Sequence, residues 1–404
     1  MVFKKSFIMF FLADIVSGFG VGMSTIGANW YLLDKTGSAT AVGVMLTLNV
    51  VAGFLVSPLT GIITDKFNRK NVIQGTFIVR AVLIGILTAL FIKDGFSIHY
   101  IYAFAIVNGI GWSIYMSASR SLIQELLTEK ELSKGNSLIE ISLQVGMFMA
   151  GAASGFIYKF IGFEAILFIN ALMFVCSYLL MIFVKYHSIN LEHHEEGPFT
   201  SFTKGLQYLN THKLTFLLGI VSIVPLISTM IYNVVLPGYV NDTLRADSVV
   251  FGFSDMSYGI GGLLSGFLAA PFAKKISENK AVGIIFILAI VTLLGLAANR
   301  IVLFIYLGSF IIGLSNSSLR IIMNTILMEV VPKRLMGRTL SVWMGIALLF
   351  QALLASGLGL LIDTFSPSIG FVCMGGLMLI GLSLQVFVSK RFHKEVPKIN
   401  YEVV

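Results

Sequence analysis

The chain has 404 residues, 56% of them hydrophobic and only 12% charged, with a mean hydropathy of +0.90. So little polar surface excludes a water-soluble globular protein and points to a polytopic α-helical membrane protein. The net charge of +8 does not mark a nucleic-acid binder, because most of the Lys and Arg fall in loops on one side of the apolar segments, which fixes topology instead.

A membrane-spanning helix needs about 20 mostly apolar residues. Twelve are predicted, near 6–33, 41–63, 72–92, 98–119, 137–160, 164–184, 214–240, 249–273, 281–299, 301–325, 338–362 and 367–389. The first follows Lys4 and Lys5 without a small-residue cleavage pattern, so it is expected to stay attached as a helix. About nine residues into it stands Asp14, among Ser17, Gly18, Gly20, Gly22, Ser24, Thr25 and Asn29. A charge at a helix centre costs roughly 2.5–3.5 kcal/mol on insertion scales, so it calls for a reason. A face of small and polar residues points at a cavity or a tight interface. Asp14 is therefore a candidate proton carrier, with a static hydrogen-bonded carboxylate as the other reading.

Between the second and third segments lies Gly61-Ile62-Ile63-Thr64-Asp65-Lys66-Phe67-Asn68-Arg69-Lys70, read as a tight charged hairpin. Gly61 permits close helix approach, Asp65 suits a helix N-terminus or an arginine, and Lys66, Arg69 and Lys70 suit lipid headgroups. Arg80, in the third segment, is a further charge within a span and likewise calls for a reason. Arg120, toward the inner end of the fourth segment, and Arg320 in the tenth are read as partners at an inner gate, with attraction of an anionic substrate as the alternative. Glu140 in the fifth segment is read as pairing with the hairpin, and it is the third candidate for proton coupling after Asp14 and Asp255. Asp255 lies about six residues into the eighth segment, where a carboxylate reaching for the outer interface is the competing reading. Cys176 and Cys373 fall in separate apolar runs, so small buried side chains are expected rather than a disulfide or a metal site.

The polar stretch 185–213 divides the segments six and six. The expected organisation is a first bundle over 1–184, a linker over 185–213 and a second bundle with a short tail over 214–404. Within the linker, His193 and His194 read as solvated rather than metal-binding, and 199–209 reads as an amphipathic helix lying on the inner surface. The two halves repeat at an offset of 204 residues: Gly109 falls on Gly313 and Glu125 on Glu329. Candidates to line a cavity between them are Asn29, Trp30, Asn49, Asn108, Trp112, Tyr115, Gln144, Met147, Tyr232, Asn233, Tyr258, Asn316, Trp343 and Gln351. Plain helix packing is the alternative for each aromatic.

The spacing Gly61-x-x-x-Asp65-x-x-x-Arg69-Lys70 resembles the loop 2–3 signature of the major facilitator superfamily. Further stretches resemble the branch that contains macrolide-efflux proteins and the bacterial enterobactin exporter. They include Tyr31-Leu32-Leu33-Asp34-Lys35-Thr36-Gly37, Leu236-Pro237-Gly238-Tyr239-Val240, and Val331-Pro332 with Gly337-Arg338. The resemblance implies an all-α membrane protein with twelve transmembrane helices in two pseudo-symmetric six-helix bundles. It also implies transport by alternating access. Ala105 stands where many drug–proton antiporters of the superfamily carry an arginine, and 150–155 lack those relatives' proline, so any proton coupling must use other residues.

No Walker loop, Rossmann fingerprint, zinc motif or nucleophile elbow is present, so neither an ATP-driven pump nor an enzyme is supported, and no cofactor is expected. The resulting expectation is a monomeric bacterial cell-membrane exporter with both termini cytoplasmic. It would exchange protons for a small amphiphile such as a macrolide-like drug. Export of a siderophore or a lysophospholipid, or uncoupled facilitated transport, are the alternatives.

Overall fold

The computed structural model describes residues 5–185 and 198–395; within them the side chains at 61, 62, 65, 129, 130, 132–144, 147, 198–201, 333, 334 and 392–395 fall outside the described set. The linker pair His193 and His194 also lies outside it. The described residues are helical apart from short turns, as a lipid-embedded backbone must be when no water can pair its amides. The helices in order are α1 (Lys5–Thr36), α2 (Ala39–Lys66), α3 (Arg69–Asp94), α4 (Ile98–Leu126), α5 (Glu129–Phe160), α6 (Phe163–Ile182), α7 (Pro198–Thr211), α8 (Lys213–Gly238), α9 (Ser248–Ile276), α10 (Glu278–Ala298), α11 (Val302–Val330), α12 (Lys333–Thr364) and α13 (Pro367–Glu395). Among the described residues eleven helices are long and apolar enough to cross a membrane. With α5 they make the twelve spans expected, and α7 is the short polar helix between the two sets.

Local chemistry sets the ends. Ser38 caps α2 by accepting from the Ala41 amide at 3.2 Å, and Asn68 caps α3 through the Asn71 amide at 3.3 Å. Thr128 and Glu131 form a capping box at the start of α5. Gly37, Gly95 and Gly162 take positive φ in the turns that follow α1, α3 and α5, where a side chain would be strained. The stretch 61–70 is not an open hairpin. Gly61–Lys66 is the last part of α2, only Phe67 and Asn68 turn, and Arg69 opens α3.

α1–α6 pack on one another, chiefly as α1 on α5 and α6, α2 on α4, and α3 on α4 and α6. α8–α13 do so as α9 on α11, α10 on α13, and α8 on α12 and α13. The internal repeat reappears as a shared contact. Gly109 of α4 presses on the backbone of Asn49 in α2, and Gly313 of α11 presses on the backbone of Tyr258 in α9. A side chain at either position would strike the facing helix. The outer flanks are apolar and exposed, as at Leu55, Ile92, Leu303 and Phe365, which suits acyl chains.

The two groups meet along two seams, α2 with α12 and α5 with α9. Among the described residues, the hydrogen bonds that join them gather in the half of the molecule away from the α2–α3 turn. We call the turn-bearing side the turn face and the opposite side the far face. Near the far face Asp363 of α12 accepts from Ser38 Oγ (2.7 Å) and from the Ala39 and Thr40 amides (2.6 and 3.0 Å) at the start of α2. Deeper in the same seam, Thr47 Oγ1 donates to the Ala352 carbonyl at 2.9 Å. In the second seam Lys159 reaches Asp247 at 2.6 Å, Ser248 Oγ donates to the Gly155 carbonyl at 3.0 Å, and Gly151, Gly155 and Gly252 let the helices touch. Toward the turn face, Leu59 of α2, Phe267 of α9 and Met344 of α12 stand exposed. Among the described residues, polar contacts between the two groups close the far face, and none joins them at the turn face.

Candidate functional site

Three groups of polar side chains lie where the helices converge. At the turn, the Arg69 guanidinium pairs with Glu125 at the end of α4, both largely buried. Lys70 Nζ donates to the carbonyls of Ile182 (3.1 Å) and Val184 (2.8 Å), capping the C-terminal end of α6. Arg69 and Lys70 therefore fasten α3 to α4 and α6. The side chain of Asp65 and the surroundings of Gly61 lie outside the described residues. Sequence reasoning noted Glu125 only as a repeat position; its partner became visible with the fold.

The second group sits inside α1–α6. The Tyr115 hydroxyl donates to the buried Asp14 carboxylate, while Ser17 Oγ donates to the Asp14 carbonyl at 3.1 Å. Arg80 is fully enclosed. Its Nη2 donates to Asn108 Oδ1 at 2.7 Å, its guanidinium lies 4.1 Å from the Phe174 ring centre, and its stem fills the space left by Gly111. Tyr115 lies within electrostatic reach of both Asp14 and Arg80. A buried charge persists only where partners replace its water, and here each has one.

The third group belongs to α8–α13. Tyr258 stacks on Tyr232 with ring centres 4.8 Å apart, shares a hydrogen bond with Thr229 at 2.8 Å and accepts one from Asn316 Nδ2 at 3.1 Å. The Tyr232 hydroxyl donates to Ser309 Oγ at 2.6 Å. Asp255 lies within electrostatic reach of both tyrosines, and Arg320 within reach of Tyr258. Neither Asp255 nor Arg320 forms a hydrogen bond or ion pair among the described residues. Asp255 instead faces the other half: a Cβ on Gly151 of α5 would lie 3.2 Å from its Oδ2.

Beside this group a cavity of about 640 Å³ opens between α8, α9, α11 and α12. Ser222, Leu226, Leu263, Phe267, Asn324 and Met344 are among its walls, and Arg320 is the one charged residue among the described residues lining it. Its volume is that of a small-molecule pocket, which bundles commonly place between helices.

Of the candidates to line a cavity, seven are packed away in this conformation. Asn29, Trp30, Asn108, Tyr115, Tyr232, Asn316 and Trp343 are all buried. Trp30 stacks on Phe251 across the α1–α9 contact at 5.3 Å, and Trp343 packs flat against Gly219 of α8. Each sits on a packed helix face, a distinction residue type does not carry. Asn49, Trp112, Asn233, Tyr258 and Gln351 are half-buried, and Asn49 Nδ2 donates to the Ala105 carbonyl at 3.1 Å. The side chains of Gln144, Met147 and Glu140 lie outside the described residues. Arg120 and Arg320 are both exposed and unpaired among the described residues. The cavity walls escaped sequence reasoning because small and aliphatic residues at helical spacing look the same in a core and in a pocket.

The sequence profile of the Major Facilitator Superfamily matches residues 10–232 and 218–401. The uncharacterized transporter YkuC of Bacillus subtilis is 21% identical over 99% of this chain and 96% of its own length. Macrolide efflux protein A of Streptococcus pyogenes is 22% identical over 85% of this chain and 89% of its own. A solved bacterial homologue of the iron transporter ferroportin in the inward-facing state superposes with a TM-score of 0.77. It is 15% identical and covers 97% of this chain and 100% of that one.

Proposed function

The chain belongs to the Major Facilitator Superfamily of membrane transporters, and from that premise we propose that it is a proton-coupled exporter of a small amphiphile. The observation that carries this reading is the pairing of a sealed far face with an open cavity on the turn face. The seals are side chains and backbone of one half held by the other, so they break as the halves rock.

In this reading the halves are 1–184 and 214–404, joined by 185–213. The turn face, which carries Lys66, Arg69 and Lys70, is the cytoplasmic side of a bacterial membrane by the positive-inside rule, and both termini lie there. The molecule works as a monomer and is open inward, ready to load cargo from the cytoplasm. Macrolide efflux protein A, as its name says, is an efflux protein, and the likeness supports outward movement here.

Asp255 is the leading proton carrier. It sits at the α5–α9 seam, which parts when the far face opens, and among the described residues it has no fixed partner that would hold its charge. Asp14, locked to Tyr115 within one half, is second, and Glu140 third. Proton binding at Asp255 after outward opening, followed by release inward, would couple the gradient to the rocking of the halves.

The test uses inverted vesicles with an imposed pH gradient and fluorescent amphiphiles of either headgroup charge, comparing the native chain with Asp255→Asn and Asp14→Asn. Gradient-driven accumulation that Asp255→Asn abolishes is expected. Accumulation that survives in Asp255→Asn but fails in Asp14→Asn moves the coupling to Asp14. Transport indifferent to the gradient in the native chain leaves a facilitator.

A further inference from the structure

The cavity carries information about cargo that the general reading of an exporter leaves open. It is bounded mostly by apolar side chains, yet one cation stands in its wall. Arg320 lies ten residues before the end of α11, about 15 Å inside the helix terminus at 1.5 Å per residue. It is exposed to the cavity and has no carboxylate partner among the described residues. Compare Arg80, equally deep in the other half, which is enclosed and hydrogen-bonded to Asn108. An arginine that only braces helices is built like Arg80. Arg320 is not.

A second cation occupies the related place in the other half. At the repeat offset of 204 residues, Arg120 of α4 falls on Asn324 of α11, and Asn324 lines the cavity one turn beyond Arg320. The offset is anchored by Gly109 and Gly313, which make the same backbone contact in the two halves. Arg120 is exposed and unpaired among the described residues as well.

Resting on the reading of an inward-open amphiphile exporter, we propose that the cargo carries an acidic headgroup, a phosphate or carboxylate, which Arg320 binds while its apolar tail lies against Leu226, Leu263 and Phe267. The guanidinium presents a planar fork of donors that matches either oxyanion. With no carboxylate to satisfy it among the described residues, the cargo completes the site. Arg120 meets the same headgroup from the opposite half when the cleft narrows, which couples occupancy to closure.

The experiment is equilibrium binding to the full chain in nanodiscs, followed by tryptophan fluorescence and needing no gradient. The probes are dodecyl phosphate, dodecyltrimethylammonium and inorganic phosphate. Dodecyl phosphate is expected to bind about 10-fold more tightly than the cationic probe, and Arg320→Gln to erase that preference while Arg320→Lys keeps part of it. Arg120→Gln should weaken binding less. An unchanged thermal midpoint in Arg320→Gln shows that the loss is not misfolding. Equal or tighter binding of the cationic probe, or a preference that survives Arg320→Gln, overturns the proposal. Displacement by inorganic phosphate at equal concentration overturns the amphiphile class and leaves a site for small free anions. Because binding is read without a gradient, anion preference without gradient-driven transport would defeat the exporter reading alone. Gradient-driven transport of the cationic amphiphile without anion preference would defeat only this one.

Discussion

In the first six helices an aspartate, a tyrosine and an arginine are joined into closed pairs: Tyr115 holds Asp14, and Asn108 holds Arg80. In the last six the same three residue types, Asp255, Tyr258 and Arg320, cluster again, but the two charges keep no partner among the described residues. One charge faces the seam with the other half and one faces the cavity. A satisfied buried network stiffens its surroundings, whereas charges left available are where a ligand or a proton changes the energy. Under the proposed function, the first half is the frame and the second is the half that senses proton and cargo.

The largest effect tests the shared scaffold beneath this contrast. Gly109→Leu and Gly313→Leu each drive a side chain into the facing helix backbone. Both should abolish monodisperse protein in size-exclusion chromatography, and survival of one alone would break the equivalence of the halves. Next comes the contrast itself. Asp255→Asn should cut gradient-driven accumulation on the order of 10–100-fold with little change in the thermal midpoint. Asp14→Asn should lower the midpoint while leaving accumulation dependent on the gradient. The reverse pattern would exchange the roles assigned to the halves.

Smaller effects concern the two seams. Asp363→Ala removes an acceptor used by three donors of the other half. It should shift the open–closed equilibrium about 10-fold, read as faster far-side labelling of a cysteine at Ser356, whose hydroxyl meets Thr47 across that seam. The smallest effect belongs to Lys159→Ala, because an exposed ion pair contributes little, and a change of about twofold or less is expected in the same assay. Burial alone would raise the Asp247 carboxyl, but the hydrogen bonds from Lys159, Val250 and Val249 outweigh it and hold it below the usual range. A depressed carboxylate contributes above its unfolded value of about 3.9 and loses that contribution only as pH falls through the lower folded value. The Lys159–Asp247 contact should accordingly be indifferent to pH between about 5 and 8. A contact that loosened near pH 6 would assign the pH response to this seam rather than to Asp255.

Much of the architecture was legible in the sequence because lipid leaves few alternatives: long apolar runs must be helices, and Gly109 with Gly313 marked the repeat. The helix ends were less legible. α4, α5, α11 and α12 run several residues past their apolar segments on the turn face, where polar residues such as Glu125 stay helical by pairing across the bundle. At the site, residue type identified Asp14, Asp255 and Arg320 as unusual. It did not reveal which charge meets a partner, because Tyr115 lies 101 residues from Asp14. Trp343 was ambiguous for a related reason: a large aromatic signals burial or recognition equally, and it is Gly219 opposite it that accommodates the ring here.

The Asp363 contact also bears on how the protein is made. The amides of Ala39 and Thr40 meet an acceptor that follows them by 324 and 323 residues. A ribosome therefore delivers the second helix long before the residue that completes its first turn exists. Until α12 has been inserted, the early half waits with an unfinished terminus facing the far side. Final consolidation of this seam is therefore a late step of assembly, completed only once α12 is in place.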